Sequence, residues 1–161
     1  MSNENTDLAR QLVTDFIERR TPEVAQLGKL VAEDCSVKES VKKGLIEIAK
    51  GEESFEDIHI REAALNIMGA LGLTKAPDVH NELCNLFTTA FDKHELQELA
   101  AFEALPKTKR CGLLRSKMRF LQSLLRALLN IKDERGLIIA KEVALIFAGT
   151  RFGKKIAEQI V

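Results

Sequence analysis

The sequence has no tryptophan and no tyrosine, and only three prolines and three cysteines in 161 residues. Without tyrosine, tryptophan or a phenylalanine-bearing basic motif, the stacking surface of an RNA-recognition sheet has nothing to build it. Cys35, Cys84 and Cys111 are an odd set at wide spacings with no CxxC pair, which indicates neither a disulfide framework nor a zinc ribbon. Reduced thiols in a cytosol-like compartment are the simplest account, so a cytoplasmic location is expected. A long apolar run is also missing: "GLIIAKEVALIFAG", residues 136–149, is interrupted by Lys141 and Glu142 and is too short to span a bilayer. The opening "MSNENTD" is polar and acidic, unlike the basic start and apolar core of a secretory signal. Walker loop, dinucleotide fingerprint, HExxH and GxSxG motifs are absent, leaving no sequence basis for an enzyme, a cofactor or a metal.

What is present suits one globular domain, expected to cover residues 1–161. The hydrophobic fraction of 45% and charged fraction of 30% are ordinary for folded proteins, and the length permits a core without disulfides or metals. The net charge of zero conceals a division. Residues 1–105 carry 11 Lys/Arg against 20 Asp/Glu, and residues 106–161 carry 13 against 4. The first part is therefore acidic and the second basic, a polarity that steers partners electrostatically.

Apolar residues recur at helical spacing, with no convincing strand alternation. Leu8, Leu12 and Phe16 mark a first stripe, starting near Thr6 or Asp7. Thr21 followed by Pro22 reads as an N-cap and first helical position, before Val24, Leu27 and Val31. Ser36 and Glu39 have capping-box spacing ahead of Val41, Leu45 and Ile48, with Gly51 as the stop. A fourth helix is expected from Ser54 to Gly72 and a fifth from Asp78. Asp92 and Glu95 repeat the cap before a sixth, ended by Pro106. The seventh should run from Gly112 to Ile131, the eighth from Asp133 to Gly149, and a short last one from Gly153. The expected class is all-α, about eight short helices, arranged either as an α-hairpin repeat or as a compact helical bundle.

The most distinctive stretch is "TKRCGLLRSKMRFLQSLLRALLN", residues 108–130, with six basic residues and no acid. In helical projection Arg115, Arg119, Gln122 and Arg126 fall within about 60°, while the apolar side spans about 200°. An arc that wide implies burial against more than one neighbour. Lys117 falls inside it and would have to snorkel. Lys107, Lys109 and Arg110 add charge just ahead of the helix. These seven residues, Lys107, Lys109, Arg110, Arg115, Arg119, Gln122 and Arg126, form the candidate partner-binding surface. An acidic protein is the expected partner, with nucleic acid as the alternative through phosphate contacts by the same arginines. Membrane docking would need the leucine face in lipid while the core needs it too, so no membrane partner is expected. Acidic and basic faces on different copies offer head-to-tail self-association as a further route.

Other clusters offer less. His80 and Cys84 lie four apart on one side of the fifth helix, but a metal would need more ligands and a nucleophile a depressed pKa, so they read as packing beside Val79, Leu83 and Phe87. Cys111, near Arg110 and Arg115, is the better thiolate candidate. "GEESFED", residues 51–57, reads as an acidic helix start, and "RFGKK", residues 151–155, lacks the strand and spacing of a phosphate loop.

Ile60, Arg61, Ala63, Ala64, Met68, Gly69, Leu71 and Gly72, within "DIHIREAALNIMGALG", fit an aspartate, V/I-R-x-x-A, L-G-x-L-G pattern. The segment resembles the first helix of a HEAT or armadillo-type repeat, and "APDVHNELCNLFTTAFD" resembles the second. That resemblance implies stacked helical hairpins and a scaffold or adaptor role. A non-enzymatic interaction domain, acting as adaptor, scaffold or regulatory subunit, is the functional expectation.

Overall fold

The computed structural model describes residues 2–51, 58–106, 112–131 and 133–160, side chains of 2–6 and 113 aside. The expected all-α class is what the structure has. The described residues form nine α-helices and no strand: α1 (Ser2–Ile17), α2 (Thr21–Glu33), α3 (Cys35–Lys50), α4 (Ile58–Ala70), α5 (Pro77–Ala90), α6 (Lys93–Glu103), α7 (Gly112–Leu128), α8 (Glu134–Ile146) and α9 (Arg151–Ile160). One 3₁₀ turn, Leu73–Lys75, follows α4. The chain falls into two compact units, Met1–Val79 and His80–Val161.

In the first unit α1 lies on α3, which also lies on α4. Ala9, Leu12 and Val13 are buried apolar residues of α1 and Asp15 is buried beside them, whereas Phe16, expected in its buried stripe, is 39% exposed. Val41, Leu45 and Ile48 of α3 and Ala64, Leu65 and Met68 of α4 are buried as their spacing requires. Gly69, by contrast, would bring an added Cβ within 4 Å of no described atom, so smallness there draws no described neighbour closer.

The helix ends show which local signals win. α3 begins at Cys35, one residue ahead of the expected cap, because Asp34 rather than Ser36 caps it: Asp34 Oδ1 accepts from Ser36 N (2.9 Å) and Val37 N (3.2 Å). The Glu39 carboxylate, which a capping box would turn back to the helix start, instead accepts from Lys42 Nζ at 2.9 Å. α2 has proline in its first turn, as expected, but its N-cap is Arg20, without a side-chain bond. α1 closes with Arg19 N donating to Phe16 O and Arg20 N to Asp15 O, the paired bonds of a Schellman ending. Its left-handed position, usually glycine, is Arg19 at φ 59°.

Lys42 is the buried cation of this unit, 7% exposed. Its Nζ lies 2.7 Å from Asp78 Oδ2 and 2.9 Å from Glu39 Oε1. It thereby ties α3 to the first turn of α5, where a carboxylate also suits the helix dipole. The Asp78 bond, then the Glu39 bond, raise the Lys42 pKa above its ordinary 10.5, and the Lys42 bond holds the Asp78 carboxyl below the usual range.

In the second unit α8 packs on α9 and on α6, and α6 on α7. Rings continue the core, with centroids of Phe87 and Phe91 5.9 Å apart and of Phe91 and Phe120 6.0 Å apart. Asp92 caps α6 as expected, its Oδ1 accepting from Glu95 N at 2.7 Å, and Asp133 caps α8 through Gly136 N at 2.8 Å. α9 starts at Arg151 and is capped by Thr150, whose Oγ1 accepts from Gly153 N at 3.0 Å. The glycine of "RFGKK" serves this corner: a Cβ on Gly153 would fall 2.2 Å from the Phe147 carbonyl oxygen. Phe147 and Phe152 meet edge to face across it, 5.0 Å between centroids.

The Lys42 tie should respond asymmetrically to substitution. Glu39 and Asp78 are 54% and 61% exposed, so water can solvate them when the lysine is lost. Lys42→Met is expected to cost under about 1 kcal/mol, whereas Glu39→Gln with Asp78→Asn strands a buried ammonium and should cost about 2–3 kcal/mol in urea denaturation. The Asp78 contribution is complete above its unfolded-state pKa and is lost as pH falls through the lowered folded value. The Lys42 contribution is complete below 10.5 and is lost as pH rises through the raised folded value.

Candidate functional site

α7 is a leucine-rich helix with no acid and no internal glycine or proline, which favours the helical backbone. Met118, Phe120, Leu121, Leu124, Leu125, Ala127 and Leu128 are buried, four of those leucines at 0% exposure. Leu114 and Lys117 are half-buried. The broad apolar arc is therefore used as core, and the opposite edge carries charge.

On that edge Arg115, Arg119 and Arg126 are exposed and Gln122 is half-buried. Arg115 and Arg126 stand about 16 Å apart along the axis at 1.5 Å per residue. Neither Arg119 nor Arg126 has an ion-pair partner among the described residues. Arg126 also lies in the last turn, where a cation complements the carbonyl end of the dipole. The helix thus holds a row of guanidinium groups on a buried base, each able to grip a carboxylate or phosphate with two parallel N–H donors. Lys107, Lys109, Arg110 and the thiol Cys111 lie outside the described residues.

The end of α7 meets a polar junction. A Cβ on Gly136 of α8 would lie 3.1 Å from Leu128 O, 3.2 Å from His80 Cε1 and 3.4 Å from Asp133 Oδ1, so three helices converge where a side chain would crowd. His80 is 2% exposed. Its Nε2 is 2.7 Å from Asp133 Oδ1, and the Cys84 Sγ is 3.7 Å from the same nitrogen. His80 Nε2 thus faces the carboxylate, while its Nδ1 is buried without a hydrogen-bond partner among the described residues.

That arrangement is not a thiol nucleophile with its base. In such a triad the two ring nitrogens divide the work, one facing the nucleophile and the other the carboxylate. Here one nitrogen faces both, and Cys84 is 0% exposed. Burial first, with the Asp133 charge adding to it, pushes the Cys84 pKa up against the opposing pull of Arg135. The Asp133 carboxyl is held below the usual range by the Gly136 N–H bond and then by His80. Arg135 Nη2 donates to Asn85 Oδ1 at 2.6 Å, a second bond between α8 and α5. The packing role expected for His80 and Cys84 fits this geometry, but the Asp133 partner was hidden, 53 residues along the chain.

Among the described residues no three His, Cys, Asp or Glu side chains are grouped so as to hold a metal ion, and no described helix is long and apolar enough to cross a membrane. Comparison with protein-family models, with curated protein sequences and with solved structures gives no match.

The two described thiols should separate in labelling. Cys35 is exposed and Cys84 buried, so in a Cys111→Ser variant a maleimide should label one thiol per chain in native buffer and a second only on unfolding. Rapid native labelling of Cys84, read by peptide mass spectrometry, would contradict its structural role.

Proposed function

We propose that this chain is a non-enzymatic interaction domain, an adaptor, scaffold or regulatory subunit that presents the basic edge of α7 to an acidic protein partner. The observation that carries this reading is the division of α7 itself. Leu121, Leu124, Leu125 and Leu128 are buried and Arg115, Arg119 and Arg126 face outward, so the charges are held in register on one helix without using the apolar face for the contact. A detachable basic peptide would take that leucine face with it and empty the core.

The resemblance of residues 57–72 to a HEAT or armadillo-type helix supports the same reading, because stacked hairpins build surfaces for partners. A reducing, cytoplasmic setting suits the free thiols Cys35 and Cys84. Nucleic acid would engage the same guanidinium row, and salt separates the two readings: phosphate contacts give affinity that falls steeply with ionic strength, with a slope reduced by about one per arginine removed.

Arg115→Glu, Arg119→Glu and Arg126→Glu together should leave the helical circular dichroism intact and abolish capture of acidic proteins from lysate. Unchanged capture would remove the surface from the account, and retention on duplex or single-stranded nucleic acid at low salt, lost in the triple variant, would favour the alternative.

A further inference from the structure

α2 is unusual in the first unit because Val31 is its one buried residue, although it also carries Val24, Leu27 and Leu30. Leu30 is 42% exposed, and Val24 and Leu27 are half-buried. A cavity of about 610 Å³ opens along this helix, with Leu27 and Leu30 as its apolar wall and Asp15, Glu23, Lys29 and Glu33 among its lining. Three carboxylates against one ammonium make it acidic. Asp15 is already engaged, by Gln11 Nε2 at 3.0 Å and Arg20 Nη1 at 3.4 Å. Glu23 and Glu33 have no ion-pair partner among the described residues, and ten residues of helix set them about 15 Å apart, one toward each end of the leucine pair.

We propose that this groove of α2 docks a basic amphipathic helix of a partner protein. Two aliphatic side chains of the partner would cover Leu27 and Leu30, and a lysine or arginine at each end, ten or eleven residues apart, would meet Glu23 and Glu33. This is the helix-in-groove mode, in which apolar anchors supply affinity and flanking charges fix register and direction. Exposed apolar residues at the α1–α2 turn, Phe16 and Ile17 at 39% and 48%, line a separate cavity of about 530 Å³ with Thr21 and Val24, on which the docking does not depend.

A second copy of the chain does not supply this chemistry from its described residues. α7 has the cations, but Leu121, Leu124, Leu125 and Leu128 are buried. α8 has exposed aliphatics, Ile138 and Leu145 at 59% and 78%, but Glu134 and Glu142 balance Arg135 and Lys141 beside them. The groove involves the first unit alone and does not depend on the α7 arginines.

The test uses a fluorescent synthetic helix with two central leucines and a lysine at each end ten residues apart, beside an isomer with glutamate in place of those lysines. By anisotropy the full chain should bind the lysine peptide roughly tenfold or more tighter than the glutamate peptide. Glu23→Lys with Glu33→Lys should invert that preference, and Leu30→Asp, at an exposed position, should abolish binding of both with the circular dichroism unchanged. No binding of the lysine peptide, equal affinity for the two peptides, or a wild-type dimer in sedimentation that Leu30→Asp dissolves would each overturn the proposal.

Discussion

Burial of the α7 leucine face is the constraint on which the second unit and its surface depend. Leu121, Leu124, Leu125 and Leu128 are at 0% exposure, and burying one leucine is worth about 2 kcal/mol. An exposed ion pair contributes about 1 kcal/mol or less. The leucines therefore decide where the helix sits, and the arginines are carried to the surface as a consequence. The charge on the outer edge is not what decides where the helix packs.

Polar side chains enter the interior as ties between helices. Lys42 links α3 to the start of α5 through two carboxylates, and His80 links α5 to the cap of α8 through Asp133. Each removes a buried donor from an unsatisfied state, which would cost more than the bond itself returns. The Asp133 carboxylate does two jobs at once, accepting the Gly136 N–H that starts α8 and the His80 N–H that anchors α5. Gly136 leaves room for that junction and Gly153 for the α8–α9 corner, so two glycines inside helices are there for close approach.

Much of this was legible in the sequence, because apolar spacing of 3.6 residues is a local signal. Val41, Leu45 and Ile48 of α3 and Leu121, Leu124, Leu125 and Leu128 of α7 are buried as their periodicity requires. Asp92 and Asp133 announced their helices. Capping rules failed where neighbouring polar residues competed: Asp34 could reach two N–H groups, and Glu39 was drawn to Lys42. The Phe16 stripe and α2 misled, since amphipathic spacing shows which face is apolar but not whether another element covers it. The outward row Arg115, Arg119, Gln122 and Arg126 was legible because it shares a helix, whereas the His80–Asp133 pair joins residues too far apart for any local pattern to reveal.

α7 is a core helix with a charged edge. Native-state hydrogen exchange tests this directly. The amides of Leu121 to Leu128 should exchange only through an opening as costly and as denaturant-sensitive as unfolding of the second unit. Exchange through a cheap, denaturant-insensitive opening confined to α7 would mean that the helix detaches, and would contradict the account.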